Sequence, residues 1–155
     1  MRFREKLVMF LATGGFVGNI PFAPGTFGSI VAIPLCYAFS KINLSLAVPG
    51  LLLLILLAIW TAQVAERVLG RTDPGAIVID EIAGMVVALI GVPFHLISVV
   101  SGFLIFRALD IVKPFPIRTL ERRLPGGPGI VFDDVAAGIF SNLLVRLILY
   151  VFNIG

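Results

Sequence analysis

Five apolar runs make up most of this chain, and they restrict its fold more than any other feature. They cover residues 7–18, 27–40, 44–66, 82–106 and 135–153. Residues 44–65 and 135–152 each approach the roughly 20 apolar residues that cross about 30 Å of hydrocarbon as a helix. A lipid-exposed sheet edge would leave backbone groups without hydrogen bonds. The runs therefore predict an all-α, polytopic integral membrane bundle.

The composition agrees, because a chain that is 59% hydrophobic and only 14% charged is not a typical soluble globule. Its length predicts one membrane-embedded domain over residues 1–155. The net charge of +3 is modest, and the basic residues lie between the apolar runs. The lipid bilayer is thus an expected partner and nucleic acid is not. No feature indicates an obligate protein partner, and the single Cys36 is expected to serve packing.

The N-terminal run is expected to be retained and not to span the bilayer. Arg2, Arg4 and Lys6 precede it, but no small-residue cleavage pattern follows it. It is short for a full crossing, which favours a re-entrant or interfacial helix.

Residues 82–106 allow two interpretations, one spanning helix or a hairpin of two short helices. Gly91 and Pro93 interrupt the run, and His95 supplies a polar group for a turn. A hairpin is favoured, and it places the polar segments at both of its ends on the same side.

With a hairpin, the loops near residues 18–28, 67–81 and 107–134 share one face of the bundle. Seven cations are expected on that face: Arg67, Arg71, Arg107, Lys113, Arg118, Arg122 and Arg123. Arg2, Arg4, Lys6 and Lys41 lie opposite, so the positive-inside tendency predicts a polar site at the cytoplasmic interface. The basic N-terminus argues the other way.

Five of the nine carboxylates lie beside apolar runs, where an unpaired charge is costly. They are Asp80, Glu81, Asp110, Asp133 and Asp134. Together they predict metal ligands and catalytic acids, and hard oxygens without partner His or Cys select Mg²⁺ or Mn²⁺.

Each acid also has a purely structural explanation. Asp80 and Glu81 precede a helix expected to begin at Ile82, and the Asp133-Asp134 pair precedes one expected at Val135, so all four acids suit helix capping. Asp110 lies three residues from Arg107 and from Lys113, which suits a salt bridge within a helix.

Two segments suit phosphate binding. Thr26 and Ser29 follow glycines at an expected helix start, where backbone amides can cradle an anion. Arg107, Lys113 and Arg118 flank Asp110 and two prolines, and such cations share phosphate charge with a metal. The Gly126-Gly127-Pro128-Gly129 segment is interpreted as a loop that gives flexibility, or as a plain connector.

The sequence lacks the residues that other phosphatase mechanisms require. Cys36 has no Arg six residues later, His95 is the single histidine, and no DxDx[TV] motif is present. Metal-assisted hydrolysis remains.

Four segments, GNIPFAPGTFGS, DPGAIVIDEIAGM, FRALDIVKPFPIR and GGPGIVFDDVAAGI, resemble the phosphatidylglycerophosphatase A family in this order. The resemblance implies a bacterial, multi-pass inner-membrane enzyme that uses Mg²⁺ to hydrolyse phosphatidylglycerophosphate in glycerophospholipid biosynthesis. It favours the five acids as site residues, with Thr26, Arg107 and Lys113 near the phosphate. Phe115 stands where family members often have Trp.

Two alternatives remain open at this stage. A small divalent-cation or proton transporter would also keep acids at membrane depth. A membrane scaffold would use the same acids only as helix caps.

Overall fold

The computed structural model describes residues 3–154, apart from the side chain of residue 121. The helices are α1 Phe3–Ala12, α2 Pro24–Ser40, α3 Leu44–Leu69, α4 Ile79–Leu89, α5 Leu96–Val112, α6 Ile117–Arg123 and α7 Gly127–Val151. A 3₁₀ turn at Val17–Asn19 joins α1 to α2. Within residues 3–154 there is no strand, so the all-α prediction is confirmed.

Two of these helices, α3 and α7, are long and apolar enough to cross a membrane. Large apolar side chains such as Leu53 and Leu147 are exposed on their outer faces. In contrast, α1 has 10 residues and α4 has 11, so at about 1.5 Å per residue neither crosses about 30 Å of hydrocarbon. These lengths agree with a membrane bundle that contains short helices.

The hairpin prediction for residues 82–106 is confirmed, because α4 ends at Leu89 and α5 begins at Leu96. The His95 ring caps α5, since its Nδ1 accepts a hydrogen bond from the Ser98 amide at 3.3 Å. The two helices run antiparallel. Gly84 in the middle of α4 faces Phe106, and Leu89 at its end faces Gly102.

The central helix is α4, which is buried along almost its whole length. It packs against α2, α3, α5 and α7. Its closest approach is to α7, where a Cβ added to Gly138 would collide with the Gly84 carbonyl. A Cβ added to Gly84 would also lie 2.8 Å from the Asp134 carbonyl, so the first half of α4 lies beside the second turn of α7.

The turns that join the helices lie at two ends of the bundle. Residues 42–43 and 91–93 line one cleft, so these two turns share one end. At the other end, the Val78 amide donates to the Ala12 carbonyl, and the Gly127 amide donates to Gln63 on α3. The polar loops therefore share one face, as the hairpin requires.

Two helix starts differ from the sequence expectation. α4 begins at Ile79 and not at Ile82, and α7 begins at Gly127 and not at Val135. The glycine run is therefore not a flexible connector. It forms the first turn of α7, because Gly127 must pass close to the Ile59 carbonyl and Pro128 suits a helix start.

Candidate active site

Three carboxylates from two helices meet at the polar end of the bundle. Asp80 and Glu81 lie in the first turn of α4, and Asp134 lies in the second turn of α7. One oxygen from each lies within 4.8 Å of the other two. A buried oxygen of each side chain, Asp80 Oδ1, Glu81 Oε2 and Asp134 Oδ2, has no hydrogen-bond partner.

The other two acids are held by cations. Arg107 donates to Asp110 one turn further along α5, and its Nη1 also lies 3.9 Å from Glu81 Oε1. Lys113 Nζ donates to Asp133 Oδ2 at 2.6 Å, which ties the end of α5 to α7. The salt bridge within α5 is thus present, and Arg107 extends it to α4.

Helix capping does not explain Asp133 and Asp134. Both are buried, and they lie in the second turn of α7, beyond the free amides at its start. Asp80 and Glu81 do lie in the first turn of α4, where the helix dipole favours negative charge. However, the N-cap position of α4 is Val78, and it makes no side-chain cap.

Burial raises the pKa of Asp80 well above its usual range, and the neighbouring Glu81 carboxylate raises it further. Burial also raises the pKa of Glu81 to about 7, although a hydrogen bond with Asp80 acts in the opposite direction. A cation between these groups would favour their charged forms. The unsatisfied oxygens, the shortage of positive charge and the all-oxygen donor set together fit a bound metal ion.

The start of α2 lies directly against this cluster. A Cβ added to Gly25 would collide with Glu81 Oε1 and would lie 3.1 Å from Arg107 Nη2. The amides of Thr26 and Phe27 both donate to the Ala23 carbonyl. The turn therefore places backbone without a side chain against the acids. Two of its amides already have an acceptor, so it offers fewer free donors than helix starts that bind phosphate.

Ser29 and Arg118 are placed differently from the other predicted phosphate ligands. The Ser29 hydroxyl is fully buried and donates to the Gly25 carbonyl at 2.9 Å, so phosphate binding would require that bond to break. Arg118 is exposed on α6 and donates to the Val112 carbonyl at 3.1 Å. Their proposed contact with phosphate stays a prediction.

Two supporting side chains were missed by the sequence analysis. Gln63 Oε1 accepts the Gly127 amide at 3.0 Å, which fixes the start of α7. Asn142 Nδ2 lies 3.0 to 3.1 Å from three carbonyls at the end of α4. Each could have been recognised in the sequence as an isolated amide side chain in an apolar helix, because such a side chain needs a polar partner.

Similarity to known proteins identifies the family of the chain. The family model described as Phosphatidylglycerophosphatase A matches residues 10–149. The chain belongs to this family. Membership confirms the prediction that it is a phosphatase, and it argues against the transporter and scaffold alternatives.

Curated relatives cover most of the chain. It is 39% identical over 132 residues to Phosphatidylglycerophosphatase A of Escherichia coli (84% of this chain, 77% of the relative). It is 34% identical over 145 residues to the protein of that name from Haemophilus influenzae (92% and 89%). A Bacteroides thetaiotaomicron protein with the provisional name phosphatidylinositol-3-phosphatase is 36% identical over 149 residues (91% and 92%). No solved structure matches the chain.

Proposed function

We propose that this family member hydrolyses the terminal phosphate of phosphatidylglycerophosphate during glycerophospholipid biosynthesis. The products would be phosphatidylglycerol and inorganic phosphate. The names of the Escherichia coli and Haemophilus influenzae relatives support this substrate. The Bacteroides thetaiotaomicron relative is named for a different lipid head group, so the substrate needs a direct test.

One observation supports a metal-dependent reaction most strongly: three neighbouring carboxylates each keep a buried oxygen without a partner. Asp80, Glu81 and Asp134 would hold the ion, and their hard oxygens favour Mg²⁺. When bound, Mg²⁺ would neutralise charge on the phosphate and lower the pKa of a bound water.

The remaining polar residues would position the phosphate. Arg107 keeps a buried Nε without a partner, so it can donate to a phosphate oxygen while its Nη1 holds Asp110. Lys113 holds Asp133 in place. Thr26 lies next to Gly25 and would add a hydroxyl donor at the entrance.

Two routes to phosphate release fit these residues. In the first, water attacks phosphorus in line with the leaving alcohol, and one of the buried carboxylates accepts the proton of the water. In the second, Asp133 or Asp134 attacks phosphorus and the bond to the lipid alcohol breaks, so that phosphatidylglycerol leaves with a proton; water then cleaves the resulting aspartyl phosphate and releases phosphate. The stereochemical course at an isotopically chiral terminal phosphate distinguishes them, because one displacement inverts the configuration at phosphorus and two displacements retain it.

The proposed activity is tested by phosphate release from phosphatidylglycerophosphate in detergent micelles with Mg²⁺. Asp80→Asn and Asp134→Asn keep the side-chain shape but remove the charge, and we expect a loss of about a thousandfold or more in kcat. Asp73→Asn is the matched control. Asp73 lies in an exposed loop at φ 44°, a conformation that Asn tolerates well. Normal turnover in both site variants would rule out this active site.

We further propose that the single domain is a multi-pass protein of a bacterial inner membrane, with its site facing the cytoplasm. Exposed cations at the site end, including Arg123, support this orientation through the positive-inside tendency. In a Cys36→Ala background, Arg123→Cys should resist an impermeant maleimide in spheroplasts until they are lysed. Lys41→Cys at the opposite end should react at once. The reverse pattern would invert the orientation.

A further inference from the structure

An open cleft of about 400 Å³ lies between the end of α5 and α6, and its lining residue Lys113 contacts Asp133, next to the acidic cluster of Asp80, Glu81 and Asp134. Its lining includes Lys113, Phe115, Arg118, Thr119 and Arg122. The cleft contains three cationic side chains and a hydroxyl, and no carboxylate is among the described side chains that line it. This donor set suits an anion.

Lys113 connects this cleft to the acidic cluster. Its Nζ donates to Asp133 Oδ2 at 2.6 Å, and Asp133 is the chain neighbour of Asp134. Lys113 adopts a left-handed conformation at φ 46°, where α5 ends and the chain turns towards α6. A molecule that extends from the cluster past Asp133 would therefore enter the cleft.

Arg118 and Arg122 lie four residues apart on α6, so both project from one face of that helix. Like charges at this spacing repel each other unless an anion compensates them. Both side chains are exposed, and among the described side chains no carboxylate lies within 4 Å of either guanidinium. Arg118 also donates to the Val112 carbonyl, but that neutral acceptor leaves both positive charges available to an anion.

The outer border of the cleft is apolar and exposed. Val112 is 62% exposed and Phe115 is 86% exposed, and both line the cleft. Ile111 beside them is 68% exposed. Such side chains on a membrane protein suit the lipid interface. The cleft thus lies between the acidic cluster and the expected position of lipid chains.

We propose that this cleft binds the phosphodiester group of the lipid substrate, so that Arg118 and Arg122 select a head group with two phosphates. This inference rests on the proposed function. The terminal phosphate of phosphatidylglycerophosphate would lie at the acids. Its second phosphate is one glycerol unit closer to the acyl chains, which is the direction from the cluster through Lys113 to Phe115.

Arg122→Gln and Arg118→Gln test the cleft in zwitterionic micelles that contain no anionic lipid except the assayed ligands. We expect KM for phosphatidylglycerophosphate to rise about tenfold in each variant, the effect of one lost hydrogen bond to a charged group, with kcat unchanged. Inhibition by phosphatidylglycerol, which keeps the diester, should weaken by a similar factor. Inhibition by phosphatidic acid, which has only a monoester phosphate, should not change.

Arg123→Gln is the matched control, because Arg123 is an exposed cation on the same helix but does not line the cleft. Arg122→Lys should restore part of the affinity, because it returns the charge without the planar fork. Thermal unfolding of each variant checks that α6 still packs on the bundle.

Several outcomes would overturn the proposal. Variants that all behave like Arg123→Gln would show that the cleft does not bind substrate. Variants that differ from wild type only after phosphatidylserine is added would assign the cleft to a neighbouring anionic lipid. Equal weakening of both inhibitors would assign the arginines to the reactive phosphate. A wild-type protein that releases no phosphate would instead contradict the proposed function.

Discussion

The two ends of α4 are both polar, but they differ in how completely their polar groups are satisfied. At the C-terminal end, Asn142 Nδ2 contacts the carbonyls of residues 87, 88 and 90, and Arg146 donates to those of residues 90 and 91. At the N-terminal end, Asp80 and Glu81 each keep a buried oxygen without any partner. One helix therefore joins a complete network to an incomplete one.

This difference distinguishes polar groups that stabilise the fold from polar groups that suit a ligand. A satisfied network in a low-dielectric region stabilises one arrangement of the helices and needs nothing more. Buried unsatisfied carboxylates are costly, and such groups in native proteins usually indicate a missing ion or a catalytic role. The C-terminal end of α4 thus serves the fold, and the N-terminal end is prepared for a ligand.

Metal removal should have the largest effect on activity, and it should act only at the N-terminal end of α4. We expect chelation to abolish phosphate release and Mg²⁺ to restore it. Binding to the native state adds about 2.7 kcal/mol when free Mg²⁺ is a hundredfold above its Kd, so Tm should rise with Mg²⁺. Thermal unfolding with and without Mg²⁺ measures this shift.

Variants at each end show where the metal effect arises. Asp134→Asn should lose most of the Mg²⁺-dependent rise in Tm because it removes one of three clustered carboxylates. Asp73→Asn should keep it. An equal rise in wild type and in Asp134→Asn would mean that Mg²⁺ binds elsewhere.

Sequence reasoning predicted the features that depend on local composition. The hairpin was predictable because Gly91 and Pro93 interrupt an apolar run, and membrane-depth acids are rare enough to mark a site. The relative positions of Asp80 and Asp134 followed only after the hairpin placed the polar loops together. The structure then separated the acids into three that face one another and two that are held by cations.

The start of α7 was not predictable in the same way. A Gly-Gly-Pro-Gly segment is typical of a loop, and its helical form depends on contacts made by Gly127 with Ile59 and Gln63, far away in sequence. The unsatisfied oxygens also depend on three-dimensional packing. They arise where α4 packs against α7, and a contact between distant segments cannot be predicted from a local sequence pattern.

Gly25→Ala should disturb the N-terminal end of α4 without removing an acid. The new methyl group would collide with Glu81 Oε1, so that carboxylate must turn away from its neighbours. We expect kcat to fall about tenfold, because a displaced catalytic group slows the reaction. Tm should change little, because the flexible Glu81 side chain can move aside at a small cost in free energy. Gly75→Ala is the control, since a Cβ there meets nothing within 4 Å. Equal kcat in the two variants would show that the backbone at Gly25 does not position the active-site acids.

Asn142→Leu should give the opposite result and affect stability alone. Leucine has the same branching as asparagine but no N–H donor, so three carbonyls at the end of α4 lose a shared donor. We expect a loss of about 2 to 3 kcal/mol in the free energy of unfolding. Residual Arg146 bonds limit the loss and should keep kcat close to the wild-type value at low temperature. Asn43→Leu, at an exposed position whose side chain caps nothing, should leave Tm almost unchanged. If Asn142→Leu instead lowered kcat in folded protein at low temperature, the two ends of α4 would be coupled, and the C-terminal network would be part of the catalytic apparatus.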